Sequence, residues 1–202
     1  SVDEVSAPPA AMTHHVFHVG GAQAKKELVH LLASGTGRRI LFMRTKHQAR
    51  KLAKQLTESG VPSVDLHGNL SQPARDRNLA AFSSGSARVL VATDIAARGI
   101  DVAKVSHVIN YDMPNTTDAY THRVGRTGRA ECSGKAYTFV CREDLSQVRA
   151  IERRHGSPIP RRTVEGFASE QGLSPRPERT QRPYPRAHRQ QRRRGGRSGV
   201  GA

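Results

Sequence analysis

Short apolar runs recur along this chain at intervals that leave room for one helix between each pair. That rhythm limits the possible folds more than any other feature. Ile40-Leu41-Phe42-Met43, Val89-Leu90-Val91-Ala92, Val105 to Tyr111 and Ala136 to Val140 read as strands, and Val64-Asp65-Leu66 and Val16-Phe17-His18-Val19 as shorter ones, the latter at an edge. Between them lie helical stripes. Ala24 to Ser34 presents Leu28, Leu31 and Leu32 on one face and ends at Gly35. Thr45 and Gln48 make a Thr-x-x-Gln capping box ahead of Ala49, Leu52, Ala53 and Leu56, and Gly60 with Pro62 stops that helix. Ser71 caps the next helix, with Pro73 in its first turn and Leu79 and Phe82 toward the core. A polar turn follows at Thr93-Asp94, a helix runs from Pro114-Asn115 through His122, and a last one covers Leu145 to Arg154. Alternation of this kind implies right-handed βαβ units and an α/β fold with a mostly parallel sheet, covered on both faces.

In such sheets ligands sit beyond the carboxyl ends of the strands. Arg44-Thr45, His67-Gly68, Thr93-Asp94 and Asp112 all fall just after expected strands. The run His122-Arg123-Val124-Gly125-Arg126-Thr127-Gly128-Arg129 adds three arginines at three-residue spacing with glycines between them. Guanidinium is always charged and its planar fork matches phosphate oxygens. A merely solvated basic face is the other reading, but it has no use for Gly125 and Gly128, which weaken a helix.

The arginine run resembles the last motif of DEAD-box RNA helicases, in helicase superfamily two. Other pieces resemble that family in the right order. These are Leu41-Phe42-Met43-Arg44-Thr45, Leu66 to Arg75 with its His67-Gly68 turn and Gln72-x-x-Arg75, Val91 to Asp101, and Asn110-Tyr111-Asp112-Met113-Pro114. The resemblance spans roughly residues 14–167 and implies the second of two RecA-like domains, a three-layer sandwich. No Gly-x-x-x-x-Gly-Lys-Thr loop and no Asp-Glu-Ala-Asp sequence occurs in the chain. The resemblance places both in the family's first domain, so this chain is expected to supply half of an ATPase site, with Mg²⁺ and most of ATP held by the other lobe.

Residue by residue, the resemblance implies that Arg126 and Arg129 reach the γ-phosphate of ATP when the lobes close, where guanidinium stabilises developing charge. It implies that Asp101 approaches the ribose and that Gly99 is a turn beside the nucleotide. It also implies that His122 and Arg123, on the nucleotide side, support the contact between lobes or orient their neighbours. Thr45, Gly68, Gln72, Arg75 and Thr93, with Asp94 beside it and Asn69, match positions along the RNA track. There, small residues and hydroxyls meet phosphates and read backbone shape more than base identity. Asn69 stands where the family commonly has an acidic residue, so a role needing that carboxylate does not carry over.

Formal net charge is +16, and residues 174–202 hold nine Arg and one Glu, so +8 of it lies there. A polyanion, most simply RNA, single-stranded or duplex, is the expected partner, together with the family's N-terminal RecA-like domain. No apolar stretch is long enough for a transmembrane helix, and the basic tail has no apolar face to insert into a membrane. Cys132 and Cys141 do not make a metal pair, no metal site is expected, and free thiols fit a cytoplasmic location. Residues 1–13 are expected to be a flexible leader, 14–167 the RecA-like domain, and 168–202 a disordered tail rich in Arg, Pro, Gln and Gly. Two rival readings stand beside the helicase: a non-enzymatic basic RNA-binding scaffold, and a DNA-directed superfamily-two domain.

Overall fold

In the computed structural model of the chain, the described residues are 12–102, 104–128, 133–162 and 164. Seven parallel strands form one sheet: β1 (Met12–His18), β2 (Arg38–Phe42), β3 (Ser63–Leu66), β4 (Val89–Ala92), β5 (Val105–Asn110), β6 (Gly134–Val140) and β7 (Arg161–Arg162). Their spatial order is β3-β4-β2-β5-β6-β1-β7. The helices are α1 (Ala22–Ala33), α2 (Lys46–Glu58), α3 (Gln72–Ser84), α4 (Asp94–Ala97), α5 (Thr117–Val124) and α6 (Leu145–His155), the last preceded by a 3₁₀ turn at Arg142–Asp144.

The helices make two outer layers. Leu28 and Val29 of α1 and Ala49, Leu52 and Leu56 of α2 pack with Leu41, Val91, Ile109 and Phe139 on one sheet face. Phe82 of α3 and Ala96 and Ala97 of α4 meet Ile40, Phe42, Leu90 and Val108 on the other. Beside them, Tyr120 and Val124 of α5 and Val148 and Ile151 of α6 meet Val16, Ala136 and Val140. The central strands alternate between these two cores, which is why they read as continuous apolar runs.

Local chemistry fixes the helix ends. Thr45 Oγ1 accepts from the Gln48 amide at 3.3 Å, Ser71 Oγ from Ala74 at 3.4 Å, and Thr116 Oγ1 from Ala119 at 3.0 Å. α2 ends in a Schellman motif: the Gly60 amide donates to Thr57 O and the Val61 amide to Leu56 O, with Gly60 at φ 92.

Several sequence expectations need correction. β1 begins at Met12, inside the stretch assigned to a flexible leader, because Met12 and Thr13 pair with Gly134 and Lys135 of β6. It is also interior, since β7 pairs on its other side and forms the edge. Leu31 is 49% exposed, because the buried arc of α1 runs through Leu28, Val29 and Ala33, with Leu32 partly buried. The turn expected at Thr93-Asp94 opens the short helix α4, and α5 starts at Thr117, behind its Thr116 cap and not at Pro114. The basic tail, 168–202, lies outside the described residues, as do Arg129 and Cys132. Among the described residues no helix is long and apolar enough to cross a membrane.

Candidate nucleotide and RNA site

Strand order brings the expected RNA-track residues together. β3, β4 and β2 are neighbours, so Gly68, Thr93 and Thr45 follow three adjacent strands at the same sheet end. Each strand feeds a helix, so the amino ends of α2, α3 and α4 gather there, and unpaired amides at helix starts favour anionic oxygens. Thr45, Gly68, Asn69 and Gln72 are exposed and Thr93 half-buried.

Inside this rim the turns are internally held. The Asn69 amide donates to His67 Nδ1 at 3.2 Å, which assigns the proton to Nε2; that nitrogen donates to Asp65 Oδ2 at 2.8 Å. Asn78 Nδ2 donates to the Asp65 carbonyl at 2.9 Å, joining α3 to the turn. Arg75 Nη2 donates to the Ala96 carbonyl at 3.0 Å, bridging α3 to α4, while Gln72 Nε2 donates to Asp76 Oδ1 at 2.7 Å. Both long side chains therefore already have protein partners at the rim.

The arginine run divides by position on α5. Arg123 is 3% exposed. Its Nε and Nη2 donate to the two carboxylate oxygens of Asp94 at 2.6 and 2.7 Å, and its Nη1 donates to the Asp112 carbonyl at 2.7 Å and to Asn110 Oδ1 at 3.3 Å. Its guanidinium carbon lies 5.1 Å from the Phe42 ring centroid. This side chain therefore ties α4, α5 and the ends of β2 and β5 into one unit. That geometry makes Arg123 a side chain that orients its neighbours within the domain. It makes Asp94 the carboxylate that balances Arg123, with its oxygens turned to that guanidinium and not to an RNA phosphate.

Arg126 sits differently. Half-buried, it lines a cleft of about 340 Å³ between α4 and α5, with Thr93, Ile95, Arg98, His122 and Arg44 on the same walls. Its Nη1 donates to the Ile100 carbonyl at 2.8 Å. Asp101 and His122 are exposed. Gly99 adopts φ 72, a left-handed backbone that glycine alone enters without strain, with open space where a Cβ would be. Together Arg126, Arg98 and Arg44 give the cleft a cationic lining suited to a polyphosphate, with the His122 ring on the same walls. Among the described residues no group of His, Cys, Asp and Glu could hold a metal ion. The nearest carboxylate, Asp94, is held by Arg123, so this side of the site offers cations and not Mg²⁺ ligands.

Sequence reasoning missed the seat of this arm. Thr127 is 2% exposed and its Oγ1 donates to the Val105 carbonyl at 2.5 Å. Gly134, at the start of β6, lies so close that a Cβ there would come within 2.6 Å of Thr127 Oγ1 and 2.8 Å of the Gly128 Cα. The arm is thus anchored at the two starts of β5 and β6. The only sequence signal was the pair of glycines themselves.

The comparisons agree with this construction. Residues 23–131 match the family described as the helicase conserved C-terminal domain. The ATP-dependent RNA helicase RhlB of Pseudomonas syringae pv. tomato is 40% identical over 146 residues, which cover 72% of this chain and 37% of RhlB. The probable ATP-dependent RNA helicase DDX17 of Mus musculus is 43% identical over 121 residues, 60% of this chain and 19% of DDX17. Among solved structures, the E. coli DEAD-box protein SrmB, bound to the regulator of ribonuclease activity A, superposes with a TM-score of 0.71 at 35% identity, covering 76% of this chain and 91% of the chain in that structure. The C-terminal domain of the DEAD-box protein Dbp5 gives 0.69 at 32% identity, covering 75% and 90%. The chain belongs to the helicase conserved C-terminal domain family, as the second RecA-like domain of a DEAD-box RNA helicase. It spans well under half the length of RhlB and DDX17.

Proposed function

We propose that this chain is the lobe of an ATP-dependent RNA helicase that completes the ATP site of an N-terminal RecA-like lobe and carries half of a single-stranded RNA track. The observation that supports the reading best is the placement of Arg126. It lines the α4–α5 cleft within the element that Arg123 joins to Thr93-Asp94, so the nucleotide arm and the RNA-facing strand ends belong to one rigid piece.

The chemistry divides between the lobes. ATP bound by the other lobe, with its Mg²⁺, supplies the phosphoryl group and part of the charge neutralisation. On closure this chain brings Arg126, and by resemblance Arg129, to the γ-phosphate, where a guanidinium lowers the cost of charge spread over the transferred group. Asp101, exposed beside the Gly99 turn, faces the ribose side. Thr45, Gly68 and Thr93 hold successive phosphates of one RNA strand against the helix starts. Because RNA binding and closure use the same piece, a strand seated at the rim stabilises the arrangement that hydrolyses ATP. By itself the chain turns over no ATP, since it holds no phosphate loop. We place the parent protein in the cytoplasm, in keeping with Cys141 being a thiol and not half of a disulfide among the described residues.

The test uses the two-lobed parent protein. Arg126→Ala is expected to lower RNA-stimulated ATP hydrolysis by about 10³-fold or more, the scale of an arginine finger, with RNA affinity largely kept. Unchanged turnover would remove Arg126 from the reaction. Mg²⁺-ATP turnover by this chain alone would contradict the division between lobes.

A further inference from the structure

Asp112 makes none of the expected nucleotide or RNA contacts, yet all four of its polar atoms are engaged around them. It lies just past β5, where its amide and that of Tyr111 both reach the Phe42 carbonyl of β2, at 3.3 and 3.1 Å. Its carboxylate Oδ2 accepts from the Arg44 amide at 2.8 Å. Its main-chain carbonyl accepts from Arg123 Nη1 at 2.7 Å. Its other carboxylate oxygen, Oδ1, takes Lys25 Nζ of α1 at 3.5 Å. Lys25 is fixed in turn over the Tyr111 ring, 5.3 Å from its centroid. The Lys25 and Asp112 side chains are only 13% and 15% exposed, so water weakens this pair less than one on the open surface.

The Arg44 amide needs this partner. Past Met43, whose amide reaches the Ala92 carbonyl, the chain leaving β2 has no strand to pair with, and the Asp112 carboxylate stands in for one. Thr45 comes next. Its Oγ1 accepts from the Gln48 amide at 3.3 Å, so its own O–H proton is left to donate to a phosphate oxygen. On the other side of Asp112, Arg123 holds both carboxylate oxygens of Asp94, beside Thr93. One residue thus joins the seats at Thr45 and Thr93. We infer that Asp112 is a positioning residue of the RNA track: its carboxylate holds the Arg44–Thr45 turn at the distance from Thr93 at which both seats meet one RNA strand, and Lys25 holds the carboxylate. The inference rests on the RNA-track reading above. A negative charge beside the track also repels phosphate, and Lys25 offsets it. Without the carboxylate the turn samples arrangements that do not seat RNA. Apparent affinity then falls by the fraction that stays competent, while saturating RNA restores the bound arrangement.

The test is RNA-stimulated ATP hydrolysis by the two-lobed parent protein, titrated with a single-stranded oligouridylate. Asp112→Ala is expected to raise the RNA concentration for half-maximal stimulation about tenfold, with kcat at saturating RNA lowered by less than about threefold. Plain electrostatics predicts the opposite sign, because removing a negative charge beside the track would tighten RNA. Asp112→Asn loses the same charge but keeps a carbonyl oxygen for the Arg44 amide, and it is expected to recover most of the loss. A half-saturation point that stays or falls in Asp112→Ala overturns the inference. So does an equal loss in Asp112→Asn, which would trace the effect to charge or fold and not to the hydrogen bond, and so does a fall in kcat alone. Thr45→Val, measured in parallel, separates this inference from the reading beneath it. If Thr45→Val raises the half-saturation point and Asp112→Ala does not, the track stands and Asp112 has no positioning part in it. If neither raises it, the track reading falls as well.

Discussion

The α4–α5 cleft and the inner strand β1 bury polar groups in opposite ways. At the cleft every atom of a buried charge is answered: Arg123 gives two hydrogen bonds to Asp94, one to Asn110 and one to the Asp112 carbonyl. On β1, both ring nitrogens of His18 and Nδ1 of His15 are buried without a hydrogen-bond partner. Burial lowers the pKa of His15 and His18, with Arg162 and Arg161 adding to it respectively. The difference follows from the side chains. Guanidinium cannot be discharged, so burying it requires a matched acceptor set, whereas imidazole escapes the cost of burial by remaining neutral. Charge is thus answered atom by atom at the α4–α5 cleft and suppressed on β1.

The largest test of that contrast is to break the matched set. Asp94→Ala leaves Arg123 at 3% exposure with only neutral acceptors. Removing one partner of a buried pair costs about 3–5 kcal/mol, and the lower figure fits here because Asp94 is 40% exposed. Urea denaturation reads the change directly. Arg123→Met, which keeps an apolar stem over Phe42, is expected to lose less, because it strands a carboxylate that water can reach. A loss under about 1 kcal/mol for Asp94→Ala would show that the pair is not what holds α4 to α5.

A second test acts on backbone approach instead of charge. Gly134→Ala pushes a methyl group against Thr127 Oγ1 and the Gly128 backbone, and neither is the far end of a flexible side chain. Overpacking of this kind costs about 1–3 kcal/mol. Because Thr127 follows Arg126 directly, the shift should reach the arm. In the two-lobed protein, ATP turnover is expected to fall further than the melting temperature alone explains at assay temperature. If turnover tracks the folded fraction, the arm does not depend on this seat.

How much of this was legible beforehand depends on whether a signal is local. The caps at Thr45 and Ser71, the stop at Gly60 and the apolar strands announce themselves within a few residues, and they appear where expected. β7 has no such signal, since two arginines form it through pairing with Val16 and Phe17. Leu31 misleads because the buried arc of α1 turns toward Val29, Leu32 and Ala33, and position 31 falls just outside its other edge at Leu28. At the site, the strand-end positions of Thr45, Gly68 and Thr93 followed from topology. The partition between Arg123 and Arg126 did not. Their spacing is the same in the sequence, and only the fold shows that one turns inward to Asp94 and the other lines the cleft.

The smallest expected effect tests the β1 side of the contrast. Burial first, then His155 and His15, lowers His14 to about 4, and its Nδ1 lies 2.8 Å from the Tyr120 hydroxyl. Burial, with Arg39 and Lys135, does the same to His107. Tyr120 is itself pushed upward by burial, so it stays protonated and donates to neutral His14. Both histidine pKa values are depressed on folding. Between pH 6.5 and about 4 the unfolded chain therefore binds more protons than the native one. Their contribution to stability is whole above 6.5, is lost as pH falls through that window, and changes no further below about 4. Full conversion of such shifts would overstate the effect, because both rings are partly solvated; about 1 kcal/mol each is the expected scale. Carboxylates also take up protons in acid, so the informative quantity is the difference between wild type and His14→Gln. Gln at this position also offers Tyr120 an acceptor. Denaturation at pH 7 and pH 4.5 should show wild type losing about 1 kcal/mol more than the variant. Parallel losses would mean that His14 takes up its proton in the folded state, and that the two regions handle buried polarity alike.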